Sequence, residues 1–196
     1  AGTCSFTYPS EIATSSFGQG GITITPIQML QALTSITNNG VMLKPYVIDK
    51  IVDSNGKNKF KSAKEEIGQV MKKETAEKMK ELMYKANYDG LTTVWQPKTV
   101  SLSMKTGTAQ IPNPKGGYLT GKYDQIYSMA GFFPSDDPKY IVYVAVKQIE
   151  GTQGAVARMT TKAIDEIASY ANLTNEKNEK ESKIIKLENY ISSNME

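Results

Sequence analysis

Val100-Ser101-Leu102-Ser103-Met104-Lys105-Thr106-Gly107-Thr108-Ala109-Gln110 is the stretch on which the reading of this chain turns. It is a strand-like run that ends in a cation, two hydroxyls and a glycine, groups suited to gripping a carboxylate and polarising a carbonyl. Side chains alternate along a strand, so Lys105 and Gly107 share one face while Thr106 and Thr108 share the other. At a sheet edge the backbone also faces a groove, and glycine at 107 removes the side chain that would hold a ligand's backbone away. An extended peptide could then add as a further strand, bonded to the main chain near Thr108, with Lys105 supplying a fixed positive charge. Charge-assisted bonds of that kind contribute about 1.5 to 3 kcal/mol, enough to orient a substrate.

Working outward, two more strand candidates follow, Gln125 to Phe133 and Tyr140 to Gln148, joined by Pro134-Ser135-Asp136-Asp137-Pro138. With Val100 to Thr108 they predict an antiparallel meander. Between its first two members lies Ile111 to Asp124, rich in Pro, Gly, Lys and Tyr, read as a functional loop over the strand ends. Helical spacing through Val156, Met159, Ala163, Ile164, Ile167 and Ala168 predicts a helix from Gln153 to Ala171 that packs on the sheet.

Upstream, Thr25-Pro26 reads as N-cap and first helical position of a buried helix that Asn38-Asn39-Gly40 closes. Asp53-Ser54-Asn55-Gly56 predicts a hairpin between Lys44 and Lys61. From Lys73 to Ala86, Ala76, Met79, Leu82 and Met83 fall on one face, and Glu74, Glu77 and Glu81 precede lysines by three or four residues. That is an amphipathic helix whose methionines are read as core. The start, with Tyr8-Pro9-Ser10 dropping into a glycine-rich turn, suggests an internal cut. The fold class is α+β, an antiparallel sheet flanked by helices.

Composition narrows the chemistry. The 196 residues contain no histidine, which excludes a Ser-His-Asp relay, a Cys-His pair and every His-ligated metal site, so nucleophilic chemistry must use lysine. No cofactor is implied. Cys4 stands alone and can form no internal disulfide. The net charge of +3 comes almost wholly from scattered lysines, Arg158 being the one arginine, too mild and dispersed for a nucleic-acid footprint. No run approaches the roughly 18 apolar residues of a membrane span.

Taken alone, Lys-Thr-Gly is a weak signal. It gains weight beside Ser16-Phe17-Gly18-Gln19-Gly20, Thr25-Pro26-Ile27-Gln28-Met29-Leu30 and Asn38-Asn39-Gly40, which occur in this order before Ser103-Met104-Lys105-Thr106-Gly107-Thr108-Ala109-Gln110. In order and spacing these resemble the transpeptidase domain of class B penicillin-binding proteins, of the PBP2x-like, division-associated type, from about Ser15 to Tyr170. That superfamily is marked by Ser-x-x-Lys, Ser-x-Asn and Lys-Thr-Gly.

The resemblance implies that residues 1–171 are the C-terminal part of a transpeptidase domain with a partial penicillin-binding or serine β-lactamase-like fold. Residues 172–196 are read as a charged linker with a marginal terminal helix. By the same resemblance Lys105 positions substrate and protons, while Thr106 and Thr108 hold the carboxylate of a D-Ala-D-Ala stem peptide or a β-lactam. The Thr108 backbone N–H serves as an oxyanion donor, and Gly107, Gln110 and Gln19 lie near the cleft. For Gln19 a turn-stabilising role fits equally well.

One part of the pattern is missing. Ser54-Asn55-Gly56-Lys57 matches Ser-x-x-Lys only as a hairpin turn, and Ser192-Ser193-Asn194 matches Ser-x-Asn only in a polar tail. The nucleophile is therefore expected on a missing N-terminal part of the same domain, present or not as a second chain. This half alone is expected to be inactive and to expose apolar surface. The parent is expected at the outer face of the bacterial cytoplasmic membrane, held by an N-terminal helix, with division proteins as possible partners. A noncatalytic stem-peptide or β-lactam sensor, and a scaffold with a fortuitous Lys-Thr-Gly, are the competing readings.

Overall fold

The computed structural model describes residues 8–19, 23–88 and 95–173. Helix α1 spans Pro9–Ser15, α2 Pro26–Thr37, α3 Lys73–Tyr88 and α4 Gln153–Tyr170. The strands are β1 Val41–Leu43, β2 Lys50–Val52, β3 Asn58–Lys61, β4 Glu66–Gln69, β5 Ser103–Gln110, β6 Gln125–Phe133 and β7 Tyr140–Lys147. The tail that was read as linker and terminal helix lies, from residue 174, outside the described residues.

The centre is the antiparallel meander, in the order β5-β6-β7, which leaves β5 at an edge. Lys105 pairs with Ala130, Gly107 with Ser128 and Thr108 with Tyr127. Period-two alternation then divides the side chains between two faces. On one face Met104, Met129 and Phe133 join Val156, Ala157, Ile164 and Ala168 of α4, all buried. On the other, Phe132 meets Leu33 of α2 and Met83 of α3. Helices therefore cover both faces of a sheet whose two middle-strand aromatics, Phe132 and Phe133, point opposite ways.

Local sequence explains most of the elements. Gln28 N–H donates to Thr25 Oγ1 (3.3 Å) and Thr25 N–H to Gln28 Oε1 (2.8 Å), a reciprocal cap at the start of α2. At its end Asn39 and Gly40 turn with φ of 54° and 89°, and Gly40 N–H returns to Ser35 O at 2.7 Å. A Cβ at residue 40 would run into Met71 O, so this turn needs glycine for space as well as for its backbone angle. Asp53 Oδ1 accepts from Asn55 N–H (3.0 Å) and Lys57 N–H (2.9 Å), which makes Ser54 to Lys57 the turn between β2 and β3.

Four details differ from the sequence reading. Tyr8-Pro9-Ser10 opens helix α1 before the turn, because Pro9 sits in its first turn and Glu11 Oε2 accepts from Tyr8 N–H at 3.0 Å. Strands β1 and β4 pair across more than twenty residues, and neither has an alternating pattern long enough to announce it. Helix α2 is half-covered: Leu33 and Ser35 are its buried residues, whereas Ile27 is exposed. Lastly, β5 begins at Ser103 and not Val100. The approach, buried from 100 to 102, is held by side chains, with Asn87 Nδ2 donating to Leu102 O (2.7 Å) and Ser135 N–H to Ser101 Oγ (3.0 Å).

Candidate active site

Lys105, Thr106 and Gly107 line a groove of about 470 Å³ between the edge of the sheet and helices α2 and α3. Its opposite wall is Met29 and Leu33 of α2 with Met79, Leu82, Met83 and Ala86 of α3, and its floor includes Ser128, Ala130 and Tyr143. Lys105 carries the one formal charge among these lining residues. In an apolar, partly water-excluded setting a single cation attracts an anion more strongly than it does in open solvent. The groove thus favours a ligand with a carboxylate near Lys105 and an apolar body against the helices.

Lys105 is exposed, and its Nζ donates to Thr106 O at 3.0 Å. Thr106 and Gly107 are half-buried beside it. Gly107 leaves room for Ser128, since a Cβ on it would lie 2.6 Å from Ser128 Oγ across the strand pair. Thr108 and Gln110 are exposed further along the edge strand, outside the groove lining. Gln19 is half-buried and turns back on α1, its N–H donating to Thr14 O at 2.9 Å. It is not among the described residues that line the groove. Gly20 lies outside the described residues.

The structure also brings in residues that motif reading passed over. Met79 and Leu82, on the face of α3 read as core, are 38% and 48% exposed and form the groove wall. Met83 alone of that pair of methionines is buried against Phe132. Ser128 and Tyr143 carried no motif signal, and only the strand register places them beside Lys105. Ile111 to Asp124 folds on itself through a Pro112–Tyr118 bridge and a Leu119 N–H to Ile111 O bond of 2.9 Å, at the end of β5 away from Lys105.

Fold and site together define the strand side of a transpeptidase domain: an edge strand bearing Lys-Thr-Gly, with helices on both faces of the sheet. Residues 1–166 match the family model described as the penicillin-binding protein transpeptidase domain. Stage V sporulation protein D of Bacillus subtilis is 34% identical over 148 residues, which cover 74% of this chain and 22% of that protein. A probable peptidoglycan D,D-transpeptidase of Neisseria meningitidis, PenA, is 30% identical over 141 residues, 71% of this chain and 22% of its own. The crystal structure of penicillin-binding protein 2X from Streptococcus thermophilus superposes with a TM-score of 0.74 at 32% identity, covering 85% of this chain and 26% of that one. The chain belongs to the penicillin-binding protein transpeptidase family, and it spans about a quarter or less of the length of these relatives.

Proposed function

We propose that this chain supplies the strand side of a peptidoglycan D,D-transpeptidase, which cross-links stem peptides through a serine acyl-enzyme whose nucleophile lies outside these residues. The observation that carries the reading is Lys105-Thr106-Gly107 on an edge strand, lining an apolar groove with one positive charge. A peptide ending in D-Ala-D-Ala, or a β-lactam, lies along β5 with its carboxylate toward Lys105, Thr106 and Thr108. Covalent catalysis divides the transfer into acylation and deacylation, and lysines handle the protons that histidine handles elsewhere. The Thr108 backbone N–H stabilises the developing oxyanion, a contact whose loss typically costs about 10² to 10³ in rate.

The apolar wall of Met29, Met79 and Leu82 is the docking face for the nucleophile-bearing part of the same domain. Partial exposure of these side chains and of Lys105 in one groove supports that assignment, since large exposed apolar patches mark interaction surfaces. The parent is held at the outer face of the cytoplasmic membrane by a segment outside this chain, where division proteins are candidate partners.

Labelled penicillin tests the reading. The complete parent is expected to carry an adduct that survives denaturation, and these 196 residues alone none. A label that denaturation releases from the parent would instead support the reversible sensor.

A further inference from the structure

The hairpin of β2 and β3 stands in solvent. Every residue of the two strands is exposed, and none belongs to either apolar cluster of the core. Among the described residues the two strands form a sheet of their own, so each has an outer edge without a strand partner. An isolated two-stranded hairpin is marginally stable in water, and an edge strand offers unpaired N–H and C=O groups to another chain.

Its register sorts the side chains. Lys50 lies opposite Lys61 and Ile51 opposite Phe60, so one face of the ribbon carries paired lysines and the other paired apolar groups. Like charges directly opposite one another destabilise a strand pair, and an anion between them relieves the repulsion. From Lys50 to Lys61 four lysines stand against the one carboxylate of Asp53, a net charge of +3 that equals that of the whole chain. Lys59 meets Asp53 at 3.5 Å, whereas Lys50, Lys57 and Lys61 have no ion-pair partner among the described residues. At the base of the hairpin Phe60 and Lys61 line a groove of about 480 Å³ with Tyr46, itself 54% exposed.

We propose that this hairpin is a docking site for an acidic, extended segment of a partner protein. The segment adds to the ribbon as a further strand, with carboxylates against Lys50 and Lys61 and alternate apolar side chains against Ile51 and Phe60. A second copy of this chain brings the same positive charge and is disfavoured. An anionic lipid surface satisfies the lysines but has no main chain to pair with the strand edge. The proposal is independent of the transpeptidase reading, because none of these residues lines the Lys105 groove.

The test titrates the complete parent with a fluorescein-labelled synthetic peptide of alternating glutamate and valine, read by anisotropy. Binding is expected, and it should weaken when salt is raised from about 50 to about 500 mM. Lys50→Glu combined with Lys61→Glu is expected to weaken it about tenfold or more, and Phe60→Ser about tenfold, with circular dichroism unchanged. Amide exchange of β2 and β3 is expected to slow only when the peptide is present. Equal binding of a peptide with lysine in place of glutamate overturns the charge assignment, and equal binding of a proline-interrupted peptide overturns strand addition. Protection of these amides in the parent before any peptide is added overturns the proposal as well, because the rest of the parent then covers the ribbon. Binding to phosphatidylglycerol vesicles without binding to the peptide overturns it in favour of a membrane.

Discussion

Asp165 Oδ1 on α4 accepts three hydrogen bonds from the chain entering β5: Thr99 Oγ1 at 2.7 Å, Thr99 N–H at 2.9 Å and Lys98 N–H at 2.7 Å. One carboxylate oxygen thus ties the C-terminal helix to the segment that leads to Lys105. The segment has no strand partner, so these bonds act with those at Ser101 and Leu102 to hold the start of the edge strand. Asp165→Ala is expected to destabilise the complete protein by about 2 kcal/mol, the scale of losing hydrogen bonds to a charged, partly exposed acceptor. Urea unfolding measures it, and a midpoint equal to wild type would show that the tie contributes nothing.

At Gly107 the constraint is steric. Gly107→Ala places a Cβ 2.6 Å from Ser128 Oγ, and either the serine hydroxyl rotates away or the strand pair shifts to relieve it. Overpacking of this kind costs about 1 to 3 kcal/mol. Combining it with Ser128→Ala removes the clashing oxygen and is expected to recover most of that loss. The double-mutant cycle reads this coupling directly in unfolding midpoints.

Why some of this was legible in the sequence and some not follows from how far each signal reaches along the chain. The meander was legible because β5, β6 and β7 are eight or nine residues long and lie next to one another, with a proline-bounded turn between the last two. The ends of α2 were legible because capping is a matter of a few adjacent residues, Thr25, Gln28 and Gly40. Pairing of β1 with β4 was not, since three- and four-residue strands far apart carry no periodic signal. Lys105 and Gly107 could be found from motif and alternation, but Ser128 could not, because a register is a relation between strands. Met79 of α3, read as core like Met83, is exposed for a related reason. Helical spacing reports that Met79 and Met83 share a stripe, not how much of it the partner surface covers.

Side chain and backbone at Thr108 are expected to separate cleanly. Thr108→Ala keeps the main-chain N–H and the strand, so penicillin acylation of the complete parent should fall less than about tenfold. Lys105→Ala removes the one charge among the described groove-lining residues and should cost about 10² or more. Burst kinetics with labelled penicillin measure both. A larger loss at Thr108 than at Lys105 would overturn the assignment of roles.

Helix α3 has an acid-dependent component. Lys78 and Lys85 both reach the Glu81 carboxylate, at 2.8 and 2.7 Å, and these hydrogen bonds lower its pKa from 4.5 to about 2. A depressed carboxylate pKa gives stabilisation that is present above the unfolded value and disappears as pH falls through the folded one. The difference between wild type and Glu81→Gln is therefore expected to be small but present at pH 6, and to vanish as the pH approaches 2. Because the group is exposed, about 1 M salt should shrink it as well. Thermal midpoints over this range check the sign, and a difference that grows on acidification would contradict it.

The groove wall provides the sharpest test of the half-site. Leu82 is half-exposed on α3 and faces the groove with Met79, while Met83, one residue on, is buried against Leu33 and Phe132. A charge at 82 can stay in water in this chain, but it would be buried once the nucleophile-bearing part docks. Leu82→Lys is therefore expected to leave the secondary structure of the chain unchanged by circular dichroism. Co-expressed with the missing part as two polypeptides, it should lower the yield of penicillin-reactive complex tenfold or more, the scale of placing an unpaired charge in an apolar contact. Met83→Lys would fail earlier, by disrupting the fold, and so serves as the contrasting control. If Leu82→Lys assembles and acylates like wild type, the nucleophile-bearing part docks elsewhere.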